Sequence, residues 1–342
     1  MGVNLKDLLI KEVIGLDDLK GRVVAVDSFN MLYQFLTTIR TPDGRPLTDS
    51  RGNVTSHLIG LFNRTTKFMA KGIKPVFVFD GEKPELKTAE LEKRKKHKLE
   101  AKKKYKEAVA KEDAAAMKKY GGRFAYLTND MVDQAKDLVK ALGLPVVQAP
   151  SEGEAQAAHI VHQNKAWAVV SQDFDSLVHG ADRLVRNLSI AGRRKKVGSL
   201  AYTTIKPELI DLSKNLNNMG IDQDKLIALA ILVGTDYNPS GIKGIGPKTA
   251  IKLVREYDDF DDLFAHVKWD EHNDIPWTDI FYLIKKMKVT DKYNIGFRTP
   301  DKQKIIKLLV DKHDFGAERV EKTLEPVLKE REKKQQKKLG DF

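Results

Sequence analysis

Four short apolar runs punctuate the first half of the chain: Arg22-Val23-Val24-Ala25-Val26, Val76-Phe77-Val78-Phe79, Leu144-Pro145-Val146-Val147 and Ala166-Trp167-Ala168-Val169-Val170. They are nearly continuous in apolar residues rather than alternating, which is the pattern of strands covered on both faces. Segments with helical periodicity separate them. A helix is predicted through Met31–Leu36, and another over 54–70, where Leu58, Leu61, Phe62 and Met69 share one side. Further helices are predicted over 129–142, stopped by Gly143, over 154–163, and over the strongly apolar 224–233. Residues 4–14 read as a short amphipathic helix, and 184–205 as a β-hairpin with Arg193-Arg194-Lys195-Lys196 near its tip. Thr41-Pro42-Asp43-Gly44 opens a polar loop that runs to Asn53. Strands alternating with helices predict an α/β fold, a mostly parallel central sheet with helices on both faces. Residues from there to about 328 are helical and mixed, and no internal repeat is evident.

Composition narrows the class. The 342-residue chain is long enough to bury a large core as one domain or two coupled ones, and no apolar run approaches the length that spans a bilayer. It contains no cysteine, so disulfides, thiolate metal sites and cysteine nucleophiles are excluded. The N-terminus lacks the apolar stretch of a signal peptide, so an intracellular, cytoplasmic protein is expected. A formal net charge of +12 favours a polyanionic partner, nucleic acid before membrane.

The charge is unevenly spread. From Lys93 to Lys106, nine residues are Lys or Arg against a single acid, Glu100. Most such runs are solvated helix faces. One this one-sided repels itself, however, and is expected to be a mobile, poorly ordered segment until a polyanion neutralises it.

The acids lie elsewhere, at the ends of the predicted strands. Asp27 follows the first, Asp80 the second, Glu152 and Glu154 the third, and Asp173 and Asp175 the fourth. Each has an ordinary explanation: Asp27 can cap a helix, Asp173-Phe-Asp175 can close a turn, and Ser151-x-x-Glu154 matches a capping box. In a parallel sheet, though, ligands bind outside the carboxyl ends of the strands, and these six acids share that rim. Asp236 joins them from just past the 224–233 helix, where the negative end of the helix dipole disfavours an acid unless a positive charge sits nearby. A carboxylate pair about 4 Å apart costs on the order of 4 kcal/mol at an effective dielectric near 20. Protonation or bound cations must relieve the cluster, and all-oxygen ligation selects Mg²⁺ or Mn²⁺ over Zn²⁺. His159 and His162 share a helix face without a matched carboxylate and read as ordinary core or surface residues. Gly241-Ile242-Lys243-Gly244-Ile245-Gly246-Pro247-Lys248-Thr249 has the glycines of a tight turn and a proline suited to the first helical position. The glycine order is wrong for a dinucleotide loop, and a helix-hairpin-helix that offers backbone N–H groups to a phosphate fits better.

Taken together, these residues resemble the flap endonucleases, the structure-specific 5′ nucleases of the XPG family, and most closely those of archaea. The likeness covers nearly the whole chain. It is carried by Val26-Asp27, Thr55-Ser56-His57-Leu58, Val78-Phe79-Asp80-Gly81, Ala149 to Ala157, Ser171 to Asp175, Val233 to Tyr237 and Gly244 to Lys248. The resemblance implies a catalytic core over 1–328, a helical arch at 83–125 through which a single-stranded 5′ flap passes, a helix-hairpin-helix region at 224–256, and a tail at 329–342. It implies two Mg²⁺ ions, for which Mn²⁺ can substitute. Asp27, Asp80, Glu152 and Glu154 would serve one, and Asp173, Asp175 and Asp236 chiefly the other. Lys87 and Arg94 stand where the family holds the scissile phosphate, Tyr33 where an aromatic stacks on a flipped base, and Arg40 near the junction. Gly244, Gly246, Lys248 and Thr249 would grip downstream duplex, with K⁺ at the hairpin. In the tail, Gln336, Leu339 and Phe342 match a motif for a sliding clamp of the PCNA type, although the chain stops one aromatic short of the family pattern. The implied activity is cleavage of 5′ flaps in branched DNA by a monomer, with 5′–3′ exonuclease activity, in Okazaki-fragment maturation and base excision repair; an archaeal protein would act in the cytoplasm beside nucleoid DNA, a eukaryotic one in the nucleus. Two rivals share some of these features: a non-catalytic junction binder would show gaps in the acid set, and a ribonuclease of the PIN class would lack the arch and the hairpin.

Overall fold

The computed structural model describes residues 2–190, 192–195 and 202–340. In chain order its elements begin with β1 (Glu12–Val13), β2 (Val23–Asp27), α1 (Ser28–Thr38), α2 (Ser56–Ala70) and β3 (Lys74–Phe79). Next come α3 (Thr88–Ala110), α4 (Ala114–Gly121), α5 (Asn129–Ala141), β4 (Val146–Gln148), α6 (Gly153–His162), β5 (Ala168–Val170) and α7 (Asp175–Val178). They are followed by β6 (Arg183–Arg186), β7 (Gly192–Lys195), β8 (Tyr202–Ile205), β9 (Glu208–Asp211), α8 (Leu212–Met219), α9 (Gln223–Val233) and α10 (Pro247–Glu256). Short helices and a long irregular stretch then lead to a C-terminal helix, Ala317–Gly340.

Among the described residues the main sheet has seven strands in the order β1-β9-β6-β5-β2-β3-β4. The five from β6 to β4 are parallel, while β9 and β1 add antiparallel to that edge. The chain winds from β2 outward through β3 to β4, then returns to place β5 on the other side of β2. The carboxyl ends of β2 and β5 therefore flank the topological switch point, where an open α/β sheet offers its crevice.

The apolar runs resolve into two faces. Val24, Val26, Phe77, Phe79, Ala168 and Val170 enter one core, with Leu32 and Phe35 of α1, Leu58, Leu61 and Phe62 of α2, and Leu138 of α5. Ala25, Val76, Val78 and Val169 enter the other, with Ala157 and Ile160 of α6 and Ile227, Leu229 and Ile231 of α9. Successive strand residues point to opposite faces, so strands covered on both sides lose the polar half of the alternation. Helices α1 and α2 approach closely because α2 has a glycine at the crossing: a Cβ on Gly60 would fall 2.2 Å from the Phe35 ring.

Several expectations need correction. Residues 4–14 form a turn and the edge strand β1 rather than a helix, because Leu5 and Leu9 tuck into the core while Ile14 bonds to Pro207 backbone. The hairpin is shorter than 184–205: Arg183–Arg186 belongs to the main sheet, and β7 pairs with β8 alone. Lys196 lies outside the described residues. The third strand starts at Val146, after the Leu144-Pro145 lead-in. The Lys-rich run is part of the continuous helix α3 rather than a poorly ordered segment. Ala101 and Ala108, seven residues apart, bury one stripe of it, α4 packs alongside, and Tyr105 meets Phe124 at a ring-centre distance of 5.1 Å. That stripe is made of alanines, which hydrophobic periodicity scarcely registers. The polar 41–53 loop is pinned near the C-terminal region, where Ser50 N–H donates to Asp314 at 2.8 Å and His313 Nδ1 lies 3.1 Å from buried Asp49.

Phe77, 1% exposed on β3, is a direct test of the core between the sheet and α1, α2 and α5. Phe77→Ala is expected to lower unfolding free energy by about 3–5 kcal/mol. The change should appear in equilibrium denaturation as a lower midpoint with an unchanged slope.

Candidate active site

The parallel strands bring their carboxyl ends to one rim, and the residues that follow them build the site. Asp27 ends β2 and caps α1, its Oδ1 accepting the Asn30 N–H at 3.0 Å. Asn30 then reaches across the switch point. Its side-chain amide donates to Asp173 Oδ2 at 2.9 Å, and its carbonyl oxygen accepts the Gln172 N–H at 3.2 Å. The Ser171 hydroxyl donates to Asp27 Oδ2 at 3.0 Å and lies 3.4 Å from Glu154 Oε1. Three of the four strand ends are thus linked by two small polar side chains.

Asp80 and the two glutamates are set by glycines. The Gly153 N–H donates to Asp80 Oδ1 at 2.8 Å, and a Cβ on Gly153 would fall 2.5 Å from that oxygen. A Cβ on Gly81 would lie 2.2 Å from the Ala149 carbonyl oxygen, so only glycine lets the loop after β3 lie against the loop after β4. Glu152 is itself the N-cap residue of α6, and Ser151 donates to the Glu82 carbonyl instead. The capping-box reading of Ser151 and Glu154 therefore fails, and Glu154 is left facing the rim. Asp175 begins α7 and accepts the Val3 N–H at 2.7 Å, which draws the N-terminal segment to the site.

Asp236 explains its own unfavourable position. It follows α9 after Gly234, whose φ of +114° turns the chain at the helix end. Two cations from the arch meet it there: Lys87 Nζ lies 2.9 Å from Asp236 Oδ2, and Arg94 bonds Asp236 Oδ1. Lys87 also donates to Glu152 Oε1 at 2.5 Å, and Arg94 Nε to Glu90 at 2.8 Å. His179 approaches Glu152 Oε2 at 3.8 Å.

These contacts divide the acids into two electrostatic groups. Burial pushes Asp27 up to about 7, helped by the neighbouring Asp80 charge. Burial and the Asp173 charge raise Asp175 to about 6 against the Val3 hydrogen bond. Glu154, buried among Asp175, Asp27 and Asp173, is pushed well above the carboxylate range, and burial also raises Asp80. Glu152 and Asp236 go the other way. Burial would raise both, but His179 and Lys87 hold Glu152 at about 2, and Lys87 and Arg94 depress Asp236. Lys87 is correspondingly raised despite its burial, because Glu152 and Asp236 face it.

All seven predicted acids reach this rim, with Lys87 and Arg94 above them. Among the described residues, no group of three or more His, Asp and Glu side chains is gathered so that it could hold a metal ion as the side chains stand. Tyr33 lies at the margin, on α1, close enough to feel the charges of Arg94 and Asp80. Arg40 is tied back, donating to the Leu36 and Gly44 carbonyls at 2.9 and 2.8 Å. Gly244, with φ +87°, and Gly246, the N-cap residue of α10, lie in the link from α9 to α10, whose first turn carries Lys248 and Thr249. Gln336 and Leu339 fall within the C-terminal helix, with nothing described of their side chains, and Phe342 lies outside the described residues. His159 pairs with Asp291 at 2.8 Å, away from the acids, as an ordinary surface histidine.

Sequence reasoning missed Asn30, Ser171 and His179. Asn30 had a weak signal, standing three residues after a capping Asp, and His179 sits four residues beyond Asp175, one turn along α7. Nothing in the sequence marked Ser171 as a bridge between strands.

The chain matches two family models, the XPG N-terminal domain over residues 1–101 and the XPG I-region over 143–236. It is 49% identical to flap endonuclease 1 of Aeropyrum pernix over 95% of this chain and 94% of that one. It is 47% identical to flap endonuclease 1 of Pyrococcus furiosus over 96% and 95%. Its fold is similar to the solved flap endonuclease-1 of Methanococcus jannaschii, with a TM-score of 0.75 and 43% identity over 95% of this chain and 98% of that one. The catalytic core of Rad2 in complex with DNA shares the fold at a TM-score of 0.70 and 23% identity, over 96% and 100%.

The raised acids predict an unusual pH dependence. Asp27 and Asp175 keep protons in the folded chain up to about 7 and about 6, whereas an unfolded Asp loses its proton near 4. Their contribution is therefore most favourable below about pH 4 and is lost as pH rises through 6 and 7. With divalent ions chelated, the denaturant midpoint should fall between pH 5 and 8, and Asp175→Asn should flatten part of that slope. A midpoint independent of pH in both proteins would contradict the arrangement.

Proposed function

The chain belongs to the flap endonucleases of the XPG family, and from that premise we propose that it cuts 5′ flaps where single strand meets duplex in branched DNA. It is a nuclease, a phosphodiester hydrolase. The observation that carries the finer reading is the convergence of seven carboxylates on one rim with Lys87 and Arg94 of the arch already engaged on two of them.

The donor set fits hard divalent cations. It is all oxygen, the ligand chemistry of hard divalent cations, and Mg²⁺ takes only one or two carboxylates directly while keeping several waters. The proposed assignment gives Asp27, Asp80, Glu152 and Glu154 to one ion and Asp173, Asp175 and Asp236 chiefly to a second, with Mn²⁺ as a substitute. Bound there, the ions would acidify a water and neutralise charge on the reacting phosphodiester.

The chain's own residues do the rest. Asn30, Ser171 and the Gly153 and Val3 N–H groups fix the carboxylate orientations beforehand, so little reorganisation is left for the reaction. Lys87 and Arg94 exchange their carboxylate partners for the scissile phosphate, which presents the same kind of anionic oxygen. Tyr33 supplies a face for a base, and Arg40, once released from its carbonyls, a contact near the junction. The start of α10, with Gly244, Gly246, Lys248 and Thr249, meets the duplex backbone through N–H groups, with K⁺ at the turn. The tail residues Gln336, Leu339 and Phe342 are assigned to a sliding clamp of the PCNA type. The monomer would serve Okazaki-fragment maturation and base excision repair in the cytoplasm, with 5′–3′ exonuclease activity on recessed ends.

The test is a labelled double-flap substrate incubated with and without Mg²⁺, with the cut position mapped. Cleavage at the junction that requires the metal is expected. Asp173→Ala should abolish cleavage while leaving flap affinity nearly unchanged, and Lys87→Ala should slow cleavage about a hundredfold. Full activity of the Asp173 variant with Mg²⁺, or cutting without preference for the junction, would overturn the reading.

A further inference from the structure

Tyr237 carries a donor that the resting site leaves unused. The residue follows Asp236 and is 6% exposed, and among the described residues nothing bonds its hydroxyl. A buried hydroxyl without a partner costs stability, and native proteins keep few of them. Burial pushes the Tyr237 pKa well above the usual tyrosine range. Of the charges that add to this, the strongest is that of Glu152, followed by those of Asp236 and Asp175. The spare donor therefore stands beside Glu152.

The backbone that carries the ring is fixed. The Tyr237 N–H donates to the Thr235 hydroxyl at 3.1 Å, and that hydroxyl donates to Asn238 Oδ1 at 2.6 Å. The Asn238 amide in turn donates to the Ile231 carbonyl of α9 at 2.7 Å. Thr235 and Asn238 are both buried, so the turn after α9 sets Tyr237 in place before any substrate arrives.

Glu152 has a different partner at rest. Its Oε1 accepts Lys87 Nζ at 2.5 Å, while His179 stands 3.8 Å from Oε2. In the function proposed above, Lys87 leaves for the scissile phosphate. A largely buried carboxylate that loses its charged donor is strongly disfavoured unless another takes its place. We propose that Tyr237 is a positioning residue whose hydroxyl donates to Glu152 once Lys87 has moved to the phosphate, keeping that carboxylate turned toward the rim during cleavage. This rests on the flap-nuclease reading. One donor replaces another: the ammonium goes to the phosphate, and the phenol, already buried and oriented, takes over without further desolvation. His179 closes the other side of the carboxylate.

Tyr237→Phe removes the hydroxyl and keeps the ring. In the full chain with divalent ions chelated, its denaturation midpoint should equal or exceed that of the wild type, because the lost hydroxyl had no partner. In a Lys87→Ala background, where Glu152 already lacks the lysine, the same substitution should lower the midpoint. With Mg²⁺ and a double-flap substrate, Tyr237→Phe should lower kcat about tenfold and leave KM unchanged, the pattern of an interaction made only on the way to the transition state. An equal effect on the midpoint in the two backgrounds, including none in either, would overturn the exchange. An unchanged kcat would overturn it too and leave Tyr237 a packing residue. Failure of the wild type to cut any flap would instead strike the function proposed above. The paired denaturation curves need neither DNA nor metal, and they would still decide whether the hydroxyl replaces the lysine.

Discussion

Bringing seven carboxylates to one rim is the constraint around which the rest of this structure is arranged. Parallel strands force the convergence of six, because every βα connection leaves the sheet at the same edge, and Asp236 joins them from the end of α9. The repulsion is relieved in more than one way. Asp27, Glu154 and Asp175 are pushed toward their protonated forms. Glu152 and Asp236 stay ionised because Lys87 and Arg94 pair with them. Asp80, Asp27 and Asp175 also receive backbone N–H groups that fix their oxygens. None of these devices removes the surplus of negative charge, which is why the rim attracts cations whether they come from the arch or from solution.

That surplus couples the arch to the core. Helix α3 has little apolar surface to bury, and Ala101 and Ala108 supply only a thin stripe. Its N-terminal half is held down by ions instead, through Lys87 and Arg94. Anything that competes for Glu152 and Asp236, a metal ion or the phosphate that draws the lysine away, also loosens the arch. Beyond alanines and salt links, Leu86 ties the start of the arch to the core that holds α6 and α9.

Much of this was legible in the sequence. The four apolar runs, the acids after them and the misplaced charge at Asp236 were enough to predict a parallel sheet with an acidic rim and a positive group near that helix end. Lys87 and Arg94 are the positive groups that meet Asp236 there. What failed did so for identifiable reasons. The run from Lys93 to Lys106 suggested disorder because small alanines carry its packing, and periodicity is read from large side chains. The N-terminal segment suggested a helix because Leu5 and Leu9 repeat at helical spacing, although both are buried by a turn and a strand edge. Asn30 gave only a weak signal and Ser171 none as a bridge, because their role depends on the approach of β2 and β5, which no local pattern records.

Glu152 and Glu154 show how far residue type falls short of role. They are two positions apart at the start of one helix and would be interchangeable on any compositional scale. Glu152 points toward Lys87 and His179 and is held at about 2. Glu154 points inward, among Asp27, Asp173 and Asp175, and is raised. One is therefore a fixed negative charge that any cation at the rim will find. The other carries a charge only when a cation or the loss of a neighbouring charge makes ionisation tolerable. The dependence of the site on bound cations should accordingly be governed from the Glu154 side, where, among the described residues, no cation of the arch is paired as Lys87 is with Glu152.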